Sequence, residues 1–318
     1  MKKKFNFFSL TKEGKGVKKE DVVENKNFGF INFFTLFGRR FWSLSGINLL
    51  YVFVNFPIFF MIFANNFSVT SSAPANLMYP AVYGLVNCKS SPILQTLFSL
   101  YHNEVSLQIP TLTTNIFNGL SYLTILTFGI ANAGLAYIMR GYVRQDTVFG
   151  LTDFFEAIAK NWKQALPLGA IDILIMYLLM NAFSFWRSQN QFVDSLMFYF
   201  CIFAVIVYFF MRFYMYIIMI TFDLSIFKII KNSFIFAFIG IKRNIVGTLG
   251  ILFVLLFNFS LISVFPMLGV MLPFIITISL LSFISAYAAY PNIYEIMIKP
   301  QEKERPEPEV NQVFTDRG

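Results

Sequence analysis

The chain has 318 residues, 57% of them apolar and only 13% charged, with 42 phenylalanines and a mean hydropathy of +0.62. A soluble domain averages about 45–50% apolar and ~25% charged residues, so a water-soluble globule is excluded and lipid must cover much of the surface. The net charge of +8 would suggest a nucleic-acid partner on a soluble protein. Here the cations border apolar runs, which points to anionic lipid and away from nucleic acid.

Residues 1–27 are polar and Lys-rich and read as a flexible basic tail. Their apolar patch is too short for a signal sequence, so no cleaved leader is expected. Residues 28–43 place Phe30, Phe33, Phe34, Phe37 and Phe41 at helical spacing on one face, followed by Arg39, Arg40 and Trp42. That pattern predicts an amphipathic helix in the headgroup region. A first span is expected over 46–64, kinked at Pro57, which removes a backbone donor. Residues 65–115, broken by Pro74, Pro80, Pro92 and Pro110, read as an outer loop with one short helix over 94–101.

The second span, 116–138, carries Gly119, Gly129, Ala131, Ala133, Gly134 and Ala136. Small residues let helix backbones approach closely, which places this span at the centre of the bundle. Residues 151–163 repeat the pattern of 28–43: Leu151, Phe154, Phe155, Ile158 and Trp162 share a face, and Lys160 and Lys163 close it. The third span follows at 165–183 and the fourth at 195–221, the latter interrupted by Arg212. A further amphipathic helix is expected over 223–241, ended by Lys242 and Arg243. The fifth span covers 245–265, PMLGVMLP forms a tight uncharged turn, and the sixth span covers 274–293. The tail, 299–318, is charged and Pro-rich and has no core to fold on. The domain plan is therefore a single transmembrane unit, 28–298, between two polar tails.

Lysine and arginine distribution fixes the expected orientation. The N-terminal segment, the 140–163 and 212–243 segments and the C-terminal tail hold 23 of the 25 Lys and Arg; only Lys89 and Arg187 fall on the other side. The positive-inside rule then puts both termini in the cytoplasm. The fold class expected is an all-α polytopic helix bundle with about six spans and cytoplasmic interfacial helices. Four or five spans remain as the rival count, with 223–241 re-entrant or the last hairpin incompletely crossing. The recurrence of a basic amphipathic helix before each inward-starting span admits a threefold repeat, although topology alone also explains it.

At LTFGIANAGLAYIMRGYVRQD, followed by FGLTDFFEAIAKNWKQAL, the chain resembles the YesL family of bacterial integral membrane proteins, a family of unknown function. INLLYVFVNFPIFF and MYIIMITFDLSIFKIIKNSFIFAFI are similar to its first span and fourth-span exit. The resemblance covers most of 28–295 and departs from the family in the long basic N-terminal tail and the long outer loop. It implies a bacterial plasma membrane and association with sugar-uptake systems. It implies no reaction and transfers no functional residue.

The candidate site is Asp172 with Arg212. A charged group within a span costs roughly 2.5–3.5 kcal/mol on insertion scales and must find a partner inside the bundle. Counted from the cytoplasmic ends of consecutive antiparallel spans, both lie at a depth of roughly 15 Å, so they are expected to meet or to share a polar cavity. Such a pair can serve a substrate or proton near mid-membrane; more commonly it fixes helix register. Asn55, Asn132, Asn181 and Asn258 can line a cavity, although hydrogen bonding between helices is the commoner role of such residues. Cys88 and Cys201 are too few for a disulfide framework; both lie toward the outside and could pair, but free thiols are expected because Cys201 falls within the fourth span. His102 with Glu104 makes a poor metal site. No phosphate loop, zinc motif or nucleophile elbow occurs, so no enzyme activity, metal or cofactor is expected. Two functions fit: a transport-related protein, as a small permease or an accessory of a carbohydrate uptake system with transporter components as partners, or a membrane scaffold without a substrate.

Overall fold

The computed structural model describes residues 28–74, 104–187 and 192–300. The tails over 1–27 and 301–318, the expected short helix over 94–101, Cys88, Lys89 and His102 lie outside the described residues. The described chain is a helical bundle. Among its helices five are long and apolar enough to cross a membrane, or six if one bent pair counts as a single span.

That bent pair opens the fold. Helix α1 (Phe30–Val54) and helix α2 (Ile58–Asn66) meet at an angle of 65°. Pro57 cannot donate to Phe53 and would clash with its carbonyl. The chain instead turns through Phe56 N to Phe53 O and Ile58 N to Asn55 O, at 3.4 and 3.2 Å. The bend is thus where Pro57 predicts it. The expected boundary between an interfacial helix ending at 43 and a span beginning at 46 is absent, because α1 is continuous through Arg39, Arg40 and Gly46.

The segment expected as an irregular outer loop is not irregular throughout. Strand β1 (Val69–Pro74) pairs antiparallel with strand β2 (Glu104–Ile109), in a register from Val69 opposite Ile109 to Pro74 opposite Glu104. A lone two-stranded ribbon is marginal. This one is anchored where α2 packs on helix α3 (Leu112–Ser121). There Phe67 stacks on Phe117 at 5.2 Å, and the hydroxyl of Thr111 donates to Phe67 O at 3.0 Å. Thr111 also caps α3 by accepting from Thr114 N.

Helix α3 continues through a tight turn at Tyr122–Leu123 into helix α4 (Thr124–Arg144), and together they are long and apolar enough for one span. Helix α4 is central, as its small residues predict: it packs on α1, on helix α5 (Gly150–Arg187), on helix α6 (Phe192–Thr221) and on α10 (Ile278–Ile293). The α4–α5 approach is close enough that a Cβ on Gly129 would lie 2.0 Å from Ala165 O, and one on Gly169 would lie 2.3 Å from the Cα of Gly129. Helix α5 fuses the expected cytoplasmic helix and third span into 38 residues and runs through Pro167. Membrane helices tolerate an internal proline where neighbours re-satisfy the freed backbone.

Helix α7 (Ile226–Ile239) packs on α6 and ends at Gly240. A Cβ there would fall on the side-chain ends of Tyr214 and Asn292, so glycine leaves room for both at this corner. Lys242 and Arg243 therefore do not end α7; they occupy the first turn of helix α8 (Ile241–Val264). The expected PMLGVMLP turn is also helical. The chain reverses at Phe265, and helix α9 (Pro266–Leu272) leads through a π-helical turn, Pro273–Thr277, into α10 and a second π turn, Tyr294–Ile298.

The first π turn has an identifiable cause. The fully buried Asn48 of α1 donates to Pro273 O and Phe274 O at 2.8 and 2.7 Å and accepts from Ser279 N at 2.8 Å. Ser45 donates to Ile275 O at 3.0 Å. Side chains of α1 thus insert into the backbone ladder of the last span, which is one of the few ways a helix opens without losing its hydrogen bonds.

Candidate functional site: a caged carboxylate behind a polar cavity

Helix α6 places Tyr208, Arg212 and Tyr216 four residues apart, on one face. That face meets α5 at Asp172, which is 0% exposed. Tyr208 donates to Asp172 Oδ1 at 2.6 Å and Tyr216 donates to Oδ2 at 2.9 Å. Arg212 Nε lies 3.2 Å from both carboxylate oxygens. Three donors from a single helix therefore satisfy the carboxylate. An isolated ion here would face a desolvation cost of several kcal/mol, and this cage offsets it by opposite charge and charge-assisted hydrogen bonds.

The structure thus brings Asp172 and Arg212 together. It also adds two tyrosines that sequence reasoning missed. Their signal was present, as Tyr-x-x-x-Arg-x-x-x-Tyr around the one span arginine.

The two charges are not equivalent. The Arg212 side chain is 29% exposed. It lies under the ring of Phe128, 5.7 Å from Cζ to the centroid, and lines a cavity of about 290 Å³. Tyr51, Asn132, Tyr216, Ser282 and Ser285 supply the other polar groups of that cavity, on an otherwise aliphatic and aromatic wall. Tyr51 donates to Asn132 Oδ1 at 3.4 Å, and Asn132 donates to Phe128 O at 2.9 Å. Ser285 donates to Leu281 O at 2.7 Å, which leaves its oxygen free to accept. Arg212 spends Nε on Asp172, and its two terminal amino groups form no hydrogen bond with another described residue. The outcome is a neutral ion pair with its anion sealed behind its cation. The cation presents a planar fork of donors to a cavity rimmed by hydroxyls and an amide.

The other polar residues divide. Asn55 accepts from Thr127 of α4 at 3.0 Å, and Asn258 of α8 donates to Thr277 at 2.8 Å, so both join helices. Asn181 bonds only its own helix, at Tyr177 O. Cys201 is a buried free thiol. Among the described residues no three metal-ligating side chains cluster.

The fold, a helical bundle with five or six helices long and apolar enough to cross a membrane, is that of a helical membrane protein. A family model described as a protein of unknown function, DUF624, matches residues 67–183. The matched stretch runs from the ribbon into α5. It includes Asn132 and Asp172 and stops short of Tyr208, Arg212 and Tyr216. No curated protein and no solved structure matches the chain.

Proposed function

We propose that the chain is a transport-related protein of a bacterial plasma membrane which binds a small polyhydroxylated solute in the Arg212 cavity. It acts as a small permease or as an accessory of a carbohydrate uptake system, without catalytic chemistry of its own. The observation that carries this reading is the cavity itself: a cationic fork with free donors, beside Tyr51, Asn132, Ser282 and Ser285, inside a helix bundle. Sites for small molecules combine apolar walls with a few placed polar groups, and an arginine already paired to Asp172 favours a hydroxyl-rich solute over a strongly charged one. The resemblance to the YesL family agrees with a link to sugar uptake. With Arg212 set aside as part of the site, the 22-to-2 division of Lys and Arg supports cytoplasmic termini, and the basic segments suit anionic headgroups and transporter partners.

The test is calorimetric titration of the purified protein with a panel of monosaccharides, disaccharides and sugar acids, beside Asn132→Ala and Ser285→Ala. Binding by the wild type that weakens at least tenfold in these variants, with melting unchanged, is the expected result. Wild-type protein that binds none of them contradicts it.

The scaffold reading is favoured by one observation: Asp172 is fully enclosed and fully hydrogen-bonded, as a purely structural pair would be. It has no use for the donors that Arg212 leaves open.

A further inference from the structure

A larger cavity, about 830 Å³, lies between the N-terminal half of α1, the first half of α8 and the stretch of α10 from Leu280 to Ala288. Its walls are apolar, with Phe33 and Phe37 of α1 facing Val246, Gly250 and Val254 of α8 and Ile284 of α10. Its cations are Lys242 and Arg243, both in the first turn of α8. From Lys242 to Val254 the groove follows α8 for roughly 18 Å, at 1.5 Å per residue, which is close to the depth of one leaflet.

The two cations stand out on three counts. They sit at a helix N-terminus, where the helix dipole disfavours positive charge. Neither forms a salt bridge or hydrogen bond with another described residue. The groove they head contains no carboxylate.

The geometry points to a binding site for one anionic phospholipid, with its phosphate held between Lys242 and Arg243 and one acyl chain laid along the groove. Charge complementarity selects this occupant. The chain's own residues 1–27 carry eight lysines against four acidic residues, so that segment is repelled by the same pair. A lipid with a zwitterionic headgroup gains less from two adjacent cations than one with net negative charge. The groove and the solute cavity share no lining residue, so the lipid site stands whether or not a solute binds at Arg212.

The experiment is native mass spectrometry of the full-length protein in neutral detergent, titrated with phosphatidylglycerol and phosphatidylcholine of identical chains. The wild type should retain one phosphatidylglycerol at least tenfold more readily than phosphatidylcholine. Lys242→Ala with Arg243→Ala should abolish the preference. Lys228→Ala with Lys231→Ala, which removes two exposed cations of α7 outside the groove, should leave it intact. Gly250→Trp should remove the bound lipid by filling the groove, and Gly250→Leu replaces it should the larger side chain prevent purification. Glycerol phosphate alone should fail to displace the lipid. Equal loss in the α7 control, no headgroup preference in the wild type, full displacement by glycerol phosphate, or a dimer abolished by Gly250→Trp would each overturn the assignment.

Discussion

Arg212 reaches Asp172 through Nε alone, 3.2 Å from each carboxylate oxygen, and keeps its terminal amino groups for the cavity in front of it. The two residues thus divide the work. Asp172 is the enclosed anchor and Arg212 the presented group.

Removing the anchor should be costly. Asp172→Asn leaves Arg212 without its counter-charge inside the bundle. The expected loss is about 3 kcal/mol, the low end for a broken buried pair, because the Arg212 side chain keeps 29% of its exposure. Asp172→Asn combined with Arg212→Gln should recover a large part of that loss. Tyr216→Phe should cost about 1.5 kcal/mol, as for one hydrogen bond to a charged group. Denaturation of the detergent-purified variants measures all of these, and an Asp172→Asn loss no larger than that of Tyr216→Phe contradicts the cage.

Asn48 offers a second test, unconnected with charge. Its side chain satisfies two carbonyls and one amide of the opened last span. Asn48→Ala should cost roughly 2–3 kcal/mol, since these backbone groups lose their partners where no water replaces them. Asn181→Ala, which removes only an exposed bond within one helix, should stay within about 0.5 kcal/mol. Parallel melting curves of the two variants provide the comparison.

The glycines should split in sign. Gly129→Ala and Gly169→Ala force a methyl into the backbone of the facing helix and should prevent recovery of folded protein. Gly38 lies in the interior of α1, and a methyl added there would have no neighbour within 4 Å. Gly38→Ala should therefore stabilise by about 0.5–1 kcal/mol through helix propensity. Yield and melting temperature after size exclusion report both.

Gln145 closes α4 at φ 64°, the one positive φ at a non-glycine residue among the described residues. It allows Asp146 N to reach Gly141 O at 2.9 Å, the backbone pattern that usually ends on glycine. Gln145→Gly should stabilise by about 1 kcal/mol, because the left-handed conformation costs an L residue roughly that much. A thermal shift in the opposite direction would show that the Gln145 side chain does more than occupy the turn.

Much of this was legible in the sequence, and the rest was lost for definable reasons. The apolar runs marked the spans, the small residues marked α4 as central, and equal depth paired Asp172 with Arg212. Continuity was not legible. Arg39, Arg40, Lys160 and Lys163 look like the ends of surface helices, yet nothing after them breaks the backbone ladder, so α1 and α5 run on. The ribbon was hidden by prolines, although Val105, Leu107 and Ile109 alternate with the period of a strand. The cavity gathers residues from five helices, α1, α4, α6, α8 and α10, and Asn48 bonds across more than two hundred positions. Neither relationship has a local signature.

The central claim is that the Arg212 cavity admits a solute. Its most direct test is Ala136→Cys, at an apolar position of the cavity wall, made with Cys88 and Cys201 replaced by serine and reconstituted in vesicles. The thiol is then exposed to a small membrane-impermeant thiosulfonate on each side in turn. Labelling of the cysteine introduced at this wall from at least one side, slowed severalfold by the sugar that binds in calorimetry, is the predicted result. A folded variant that stays unlabelled from both sides would contradict it.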